Sequence, residues 1–200
     1  MAPAPDADRS RRLYVRRWRI DLTRRDGTPK VLTDRAIART AAAALDAAAK
    51  GFASGSLAIV LTDDAELAEL NAEHLGKHGP TDVLSFPMLE AEAFARAGGS
   101  GIERAPAAPV GGGGRPGVAA HQRGGRIHLG DIAISIERAI EQAEAGRGGQ
   151  TSDVQWSPAD ELRLLVTHGT LHVCGWDHAA PAEEAAMRTL EQRLLASGTG

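Results

Sequence analysis

The chain has 200 residues, 42% of them hydrophobic and 24% charged, with a net charge of −3 and one cysteine, Cys174. That composition excludes a wholly disordered or collagen-like chain, an internal disulfide framework and a strongly basic nucleic-acid coat, while leaving room for a local basic groove. No run of 18 apolar residues occurs, so no transmembrane helix is expected.

Eight arginines lie within residues 1–25 against Asp6, Asp8 and Asp21, a local balance of +5. No apolar stretch follows these charges, so no secretory signal is expected. Residues 1–12 read as a disordered tail and 13–197 as one domain. Trp18–Leu22 alternates with period 2 and predicts a strand. Thr33 is placed to cap a helix through the alanines of 41–49, with Ile37, Ala41, Ala44, Leu45 and Ala48 at helical spacing. Leu57–Leu61 predicts a short strand. Asp63 and Glu66 have capping-box spacing before a helix that carries Leu67, Leu70 and Asn71 and ends near Gly76. Asn71 inside that helix suggests a hydrogen bond to the sheet. After Pro80, Asp82–Phe86 predicts another strand.

Residues 96–126 differ in character: 13 of these 31 are Gly or Pro, and five Arg face one Glu. So little apolar area does not offset the ordering entropy, so this reads as a flexible insertion inside the domain. From Ile127 the apolar residues resume, and their alternation changes phase at Gly130-Asp131, as in a bulged strand. Ser135 caps a helix ending at Gly146. Ser157-Pro158 opens the next, which runs to about Cys174 with Gly175 as a left-handed stop. Pro181 opens the last, through Met187, Leu190 and Leu194. Strands and helices mix without strict alternation. The expected class is α+β, a small mixed sheet of about four strands packed with helices.

Chemistry concentrates in His168-Gly-Thr-Leu-His172-Val-Cys-Gly175-Trp-Asp-His178. His168 and His172 are four apart on a helix, so their rings share one face a turn apart. A φ > 0 turn at Gly175 returns His178 to the same point. Three neutral imidazoles that leave a fourth position for water are the ligand set of a catalytic zinc site, at the end of a C-terminal helix. The spacing also matches the three-His pattern of metzincin proteases, but Gly169 stands where those enzymes carry their general-base Glu. Asp177 reads as a carboxylate orienting a ligand, as a base, or as a turn residue. Cys174 points away and reads as a small buried residue. Thr81 is placed to bond a turn or to line the cleft. Asp131 is placed to pair with the helix ahead or to orient a metal ligand. His128 reads as a surface or cleft residue, and His74, His78 and His121 as solvent-exposed.

On these residues the chain resembles the YbeY family of bacterial endoribonucleases. His168–His178 matches the family signature H-G-x-L-H-x-x-G-x-D-H. Pro80–Phe86, preceded by Leu70-Asn71, matches P-T-D-V-L-S-F, and Leu129–Ile132 matches L-G-D-I. The likeness spans 13–197 apart from the insertion. It implies an α+β fold, one zinc on His168, His172 and His178, and single-strand-specific RNA cleavage. It further implies roles in ribosomal RNA maturation, notably at the 16S 3′ end, and in ribosome quality control. Ribosomal RNA or the small ribosomal subunit is the implied partner, and the cytoplasm the implied location. The family's Tyr-Arg after Leu-Asn-x-x falls on His74-Leu75, so that cation is missing. Lys77 and the insertion's Arg115, Arg123 and Arg126 are the candidates to bind RNA phosphate instead. No residue is identified as the general base. The competing expectations are a metallohydrolase of protease type and a ribosome-assembly binding protein with a structural metal.

Overall fold

Strand alternation and helix caps account for nearly every element of the computed structural model, which describes residues 8–76, 79, 81–96, 122–123, 126–146, 156–177 and 180–197. In chain order these residues form β1 (Arg9–Val15), β2 (Trp18–Arg24), α1 (Asp34–Ala48), β3 (Gly55–Thr62), α2 (Asp64–Leu75) and β4 (Val83–Pro87). Then come α3 (Ala91–Arg96), β5 (Gln122–Arg123), β6 (Arg126–Ser135), α4 (Ile136–Ala145), α5 (Pro158–Val173) and α6 (Pro181–Ser197). The sheet has the order β1-β2-β3-β6-β4, with β5 paired to β6. β2, β3 and β6 run parallel, and β1 and β4 are antiparallel edges. The class is therefore mixed α+β.

Two strands exceed the expected four, β1 and the two-residue β5. Residues 9–12 belong to β1, not to a tail. A hairpin explains this: Leu13 pairs with Ile20, Arg12 pairs with Asp21, and the Arg12 guanidinium bonds the Asp21 carboxylate at 3.0 Å. Only the partner strand makes a stretch this rich in arginine extended. Residues 1–7 and most of the 96–126 segment lie outside the described residues.

The strand phases sort the sheet into two faces. Leu57, Ile59 and Leu61 of β3 and Ile132 and Ile134 of β6 enter the main core with Trp18, Ile20 and Leu22 of β2. That core is closed by Ile37, Ala41 and Leu45 of α1, Leu162, Leu165 and Val166 of α5, and Met187 and Leu190 of α6. On the opposite face α2 covers β4 and β6, through Leu67 on Leu84 and Ala133. In β6 the bulge falls on Leu129: His128 opposes Ser56, while Gly130 opposes Leu57. The extra residue lets Leu129 and Ile132 both face the main core across an otherwise broken alternation.

Thr33, Asp63, Ser135 and Ser157 each cap their helix through the side-chain oxygen. Ser157 and Asp160 make a complete capping box, and the Ser157 hydroxyl holds the Asp160 carboxyl below its ordinary range. The Asp63–Glu66 pair does not close reciprocally. Asp63 accepts from the Glu66 amide at 2.8 Å, but the Glu66 carboxylate accepts from Arg25 Nε and from the Thr62 hydroxyl instead. Arg25, on the loop after β2, thereby holds the Glu66 carboxyl below the usual carboxylate range. Asn71 donates to the Gly79 carbonyl at 3.4 Å, so it ties a loop to α2 rather than reaching the sheet.

Candidate metal centre

α5 is the central helix, and its placement depends on residues without side chains. A Cβ at Gly169 would lie 2.9 Å from the Ile132 Cγ2 and 3.1 Å from the Val83 Cγ2. The Ser85 hydroxyl donates to the Gly169 carbonyl at 3.2 Å. Position 169 thus faces the β4–β6 pair at backbone distance. The two threonines that follow this helix inward are satisfied locally: Thr167 donates to the Arg163 carbonyl and Thr170 to the Val166 carbonyl.

The C-terminus of α5 is a Schellman turn. Gly175, at φ 77°, donates to the His172 carbonyl at 2.8 Å, and the Trp176 amide reaches back to the Leu171 carbonyl at 3.0 Å. This places the Trp176 carbonyl 2.9 Å from His172 Nδ1. One turn earlier, His168 Nδ1 meets the Glu191 carboxylate of α6 at 2.7 Å. Glu191 is carried inward by the helix face that buries Met187 and Leu190, and only 13% of its side chain remains exposed.

These partners settle the tautomers. A carbonyl and a carboxylate accept, so each Nδ1 carries its proton, and in the neutral ring each Nε2 then presents a lone pair. The two Nε2 atoms lie 2.9 Å apart, with ring centroids 4.5 Å apart. Two lone pairs so close repel unless positive charge sits between them. Orientation of imidazole through Nδ1 by a carboxylate and a backbone carbonyl is also how proteins prepare histidine to hold a metal ion.

His168 and His172 are thus brought together as expected. His178 lies outside the described residues, and among those residues no group of three or more His, Cys, Asp or Glu is assembled for a metal. Lys77 and Arg115 are likewise outside, as is the side chain of Arg123. Leu75, in the place of the expected arginine, is the last residue of α2.

Two assignments change. Asp131 does not reach the helix ahead or the histidine pair: it bonds His128 Nε2 at 3.1 Å. The pleat explains it, because Ile132 packs under Gly169 and its neighbour Asp131 must point to the other face. His128 is buried, at 3% exposure, with Nδ1 on the Ser56 hydroxyl at 3.2 Å. Asp177 is half-buried just after the turn; the carboxylate that bonds the His168 ring is Glu191, which sequence reasoning missed. Its signal was a carboxylate beside Leu190, flanking the apolar face of the last helix. Two other readings stand. Thr81 donates to the Val83 carbonyl at 3.4 Å, the turn role. Cys174 is fully buried, as expected.

The chain is similar to a well-defined group of proteins. The family model described as Endoribonuclease YbeY matches residues 22–198. A relative of that name from Salinispora tropica is 39% identical, over 70% of this chain and 73% of its own. The Symbiobacterium thermophilum protein is 35% identical over 80% and 83%, and the Thermobifida fusca protein 36% identical over 88% and 92%; both carry the same name. A solution structure of a Thermotoga maritima protein aligns over 90% of this chain and 88% of that one, with a TM-score of 0.49 and 19% identity.

Proposed function

The chain belongs to the YbeY endoribonuclease family, and from that premise we propose that it is a metal-dependent, single-strand-specific endoribonuclease of ribosomal RNA maturation. The substrate is ribosomal RNA, notably the 16S 3′ end, met free or on the small ribosomal subunit, with a part in ribosome quality control. A cytoplasmic location goes with that substrate and with the single reduced thiol of Cys174. Among the described residues no helix is long and apolar enough to cross a membrane.

The observation that carries the metal is the facing pair of Nε2 atoms 2.9 Å apart, each ring held through Nδ1 by an acceptor. His168 and His172, together with His178, three residues after Gly175 in the sequence, would hold one divalent ion, zinc by donor type. Such an ion, when bound, supplies Lewis acidity toward a scissile phosphate and a water of lowered pKa. Glu191 fixes the His168 ring and its tautomer and adds negative charge behind it. The Trp176 carbonyl fixes the His172 ring. Gly169 faces the sheet, where no carboxylate fits, so a base of the protease kind is missing.

The purified protein is expected to cut single-stranded RNA, to lose that activity with chelator, and to leave double-stranded RNA and casein intact. Cleavage that survives exhaustive chelation with metal analysis at zero would overturn the metal, and cleavage of casein would overturn the RNA reading. Glu191→Ala is expected to weaken zinc affinity by about 10- to 100-fold, the usual effect of losing an orienting partner. Glu191→Gln, which still accepts from Nδ1, is expected to keep most of it. Competition against a chromophoric chelator separates the two variants.

A further inference from the structure

The hairpin of β1 and β2 carries a surface that the histidine site does not use. Leu13 and Val15 pack on the main core, so Tyr14 between them points to the other face. Tyr14 is the only tyrosine of the chain, and it is 62% exposed. Arg126, at the start of β6, holds its guanidinium carbon 5.7 Å from the Tyr14 ring centroid and donates to the Arg17 carbonyl at 3.0 Å. At this end of the sheet two carboxylates are each shared by two arginines, Asp21 on the Tyr14 face and Asp46 on α1 at the core side. Asp21 lies between Arg12 and Arg19, and Asp46 between Arg16 and Arg17. Five guanidinium groups facing two carboxylates leave this end of the sheet at +3 in a chain whose total is −3. The Arg12 and Arg16 side chains remain 61% and 77% exposed.

We propose that this Tyr14-centred arginine surface is a second contact for single-stranded RNA, one base stacking on Tyr14 while Arg12, Arg16 and Arg126 meet the flanking phosphates. An exposed aromatic plane ringed by arginines is the means by which proteins hold unpaired strands without reading sequence. The partner follows from charge and ring together, and the proposal rests on the endoribonuclease reading above. Position supports it. Gly169 lies over Ile132 and the Gly130 position over Val173, so α5 runs antiparallel to β6. Its C-terminal turn therefore lies at the end of the sheet where β6 begins. The β1–β2 turn lies there too, because Val15, Trp18, Gly55 and Ile127 are in register across the strands. β1 is three strand spacings from β6 and four from β4, about 14–19 Å. Tyr14 lies on the face of the sheet away from α5, so a strand of RNA that engages both places passes over this shared end of the sheet. The contact also answers how a chain with leucine at position 75 holds phosphate. Most of the surface precedes the segment, 22–198, that the family model matches.

The test is binding of a 12-nucleotide fluorescein-labelled single-stranded RNA by the full chain, followed by anisotropy across a salt series. Tyr14→Thr, which keeps a strand-forming residue, is expected to weaken binding about tenfold, within the range for one stacked base. Arg16→Gln with Arg126→Gln is expected to flatten the log–log salt slope by about 1.4, two phosphate contacts at about 0.7 each. Melting temperatures serve as the check on folding. If wild type binds the RNA and both variants match it in affinity and slope, the surface proposal is overturned alone. If wild type binds no RNA, the endoribonuclease reading fails and this proposal with it.

Discussion

His172→Ala is expected to emerge from purification with less than a tenth of the wild-type zinc and with single-stranded RNA cleavage reduced by well over about 100-fold. The loss must exceed that of Glu191→Ala, because a ligand is removed rather than the group behind it. Removing the ring also takes away the Trp176 carbonyl's bond to His172 Nδ1 and the Nε2 that faces His168 at 2.9 Å. A metal bound only by the folded state stabilises it by about 2.7 kcal/mol at a hundredfold excess over Kd. Zinc should therefore raise the melting temperature of wild type and leave that of His172→Ala unmoved. Metal analysis together with melting in zinc and in chelator checks this. Wild-type stoichiometry in the variant would sink the assignment. A wild type that never takes up metal would mean that the two rings share a proton instead.

Gly130→Ala is expected to be the most damaging single change to the fold. A Cβ there would lie 2.5 Å from the Phe86 carbonyl oxygen and 2.9 Å from the Val173 Cγ1. The first contact is backbone of the edge strand β4, which pairs Pro87 with Gly130. The second is the residue next to His172. Neither neighbour yields cheaply, so β4 or the end of α5 must shift, at about 3 kcal/mol or more. For a chain of this size that lowers the melting temperature by roughly 6–12 °C. The same shift moves the His172 ring, so zinc affinity should fall with stability. Gly169→Ala acts on the same interface but is opposed by the helix preference of alanine. Thermal melts of the two variants, with zinc titration, test the ordering: Gly130→Ala below Gly169→Ala. A Gly130→Ala variant as stable as wild type would show that α5 does not rest on β6 at that distance.

Much of this protein was legible from its residues because local physics acted alone. The caps at Thr33, Asp63, Ser135 and Ser157 need only one side-chain oxygen and a free amide. The turn at Gly175 needs only a residue that tolerates φ 77°. The pairing of His168 with His172 follows from helix spacing, and the alternation of β2, β3 and β6 from burial on one face. What remained hidden depended on partners distant in the chain. Residues 9–12 look like tail until β2 supplies the strand that makes them β1. Asp131 and His128 could not be placed until the bulge at Leu129 decided which side of the sheet each faces. Glu66 fits a capping box, but a better partner, Arg25, comes from another element. Glu191 orients His168 only because α6 packs on α5, 23 residues on. Gly169 and Gly130 read from the chain as a missing base and a bulge. The tertiary structure makes both of them points of contact between helix and sheet, because a Cβ would run into Val173 of α5 at Gly130 and into Ile132 and Val83 of the sheet at Gly169.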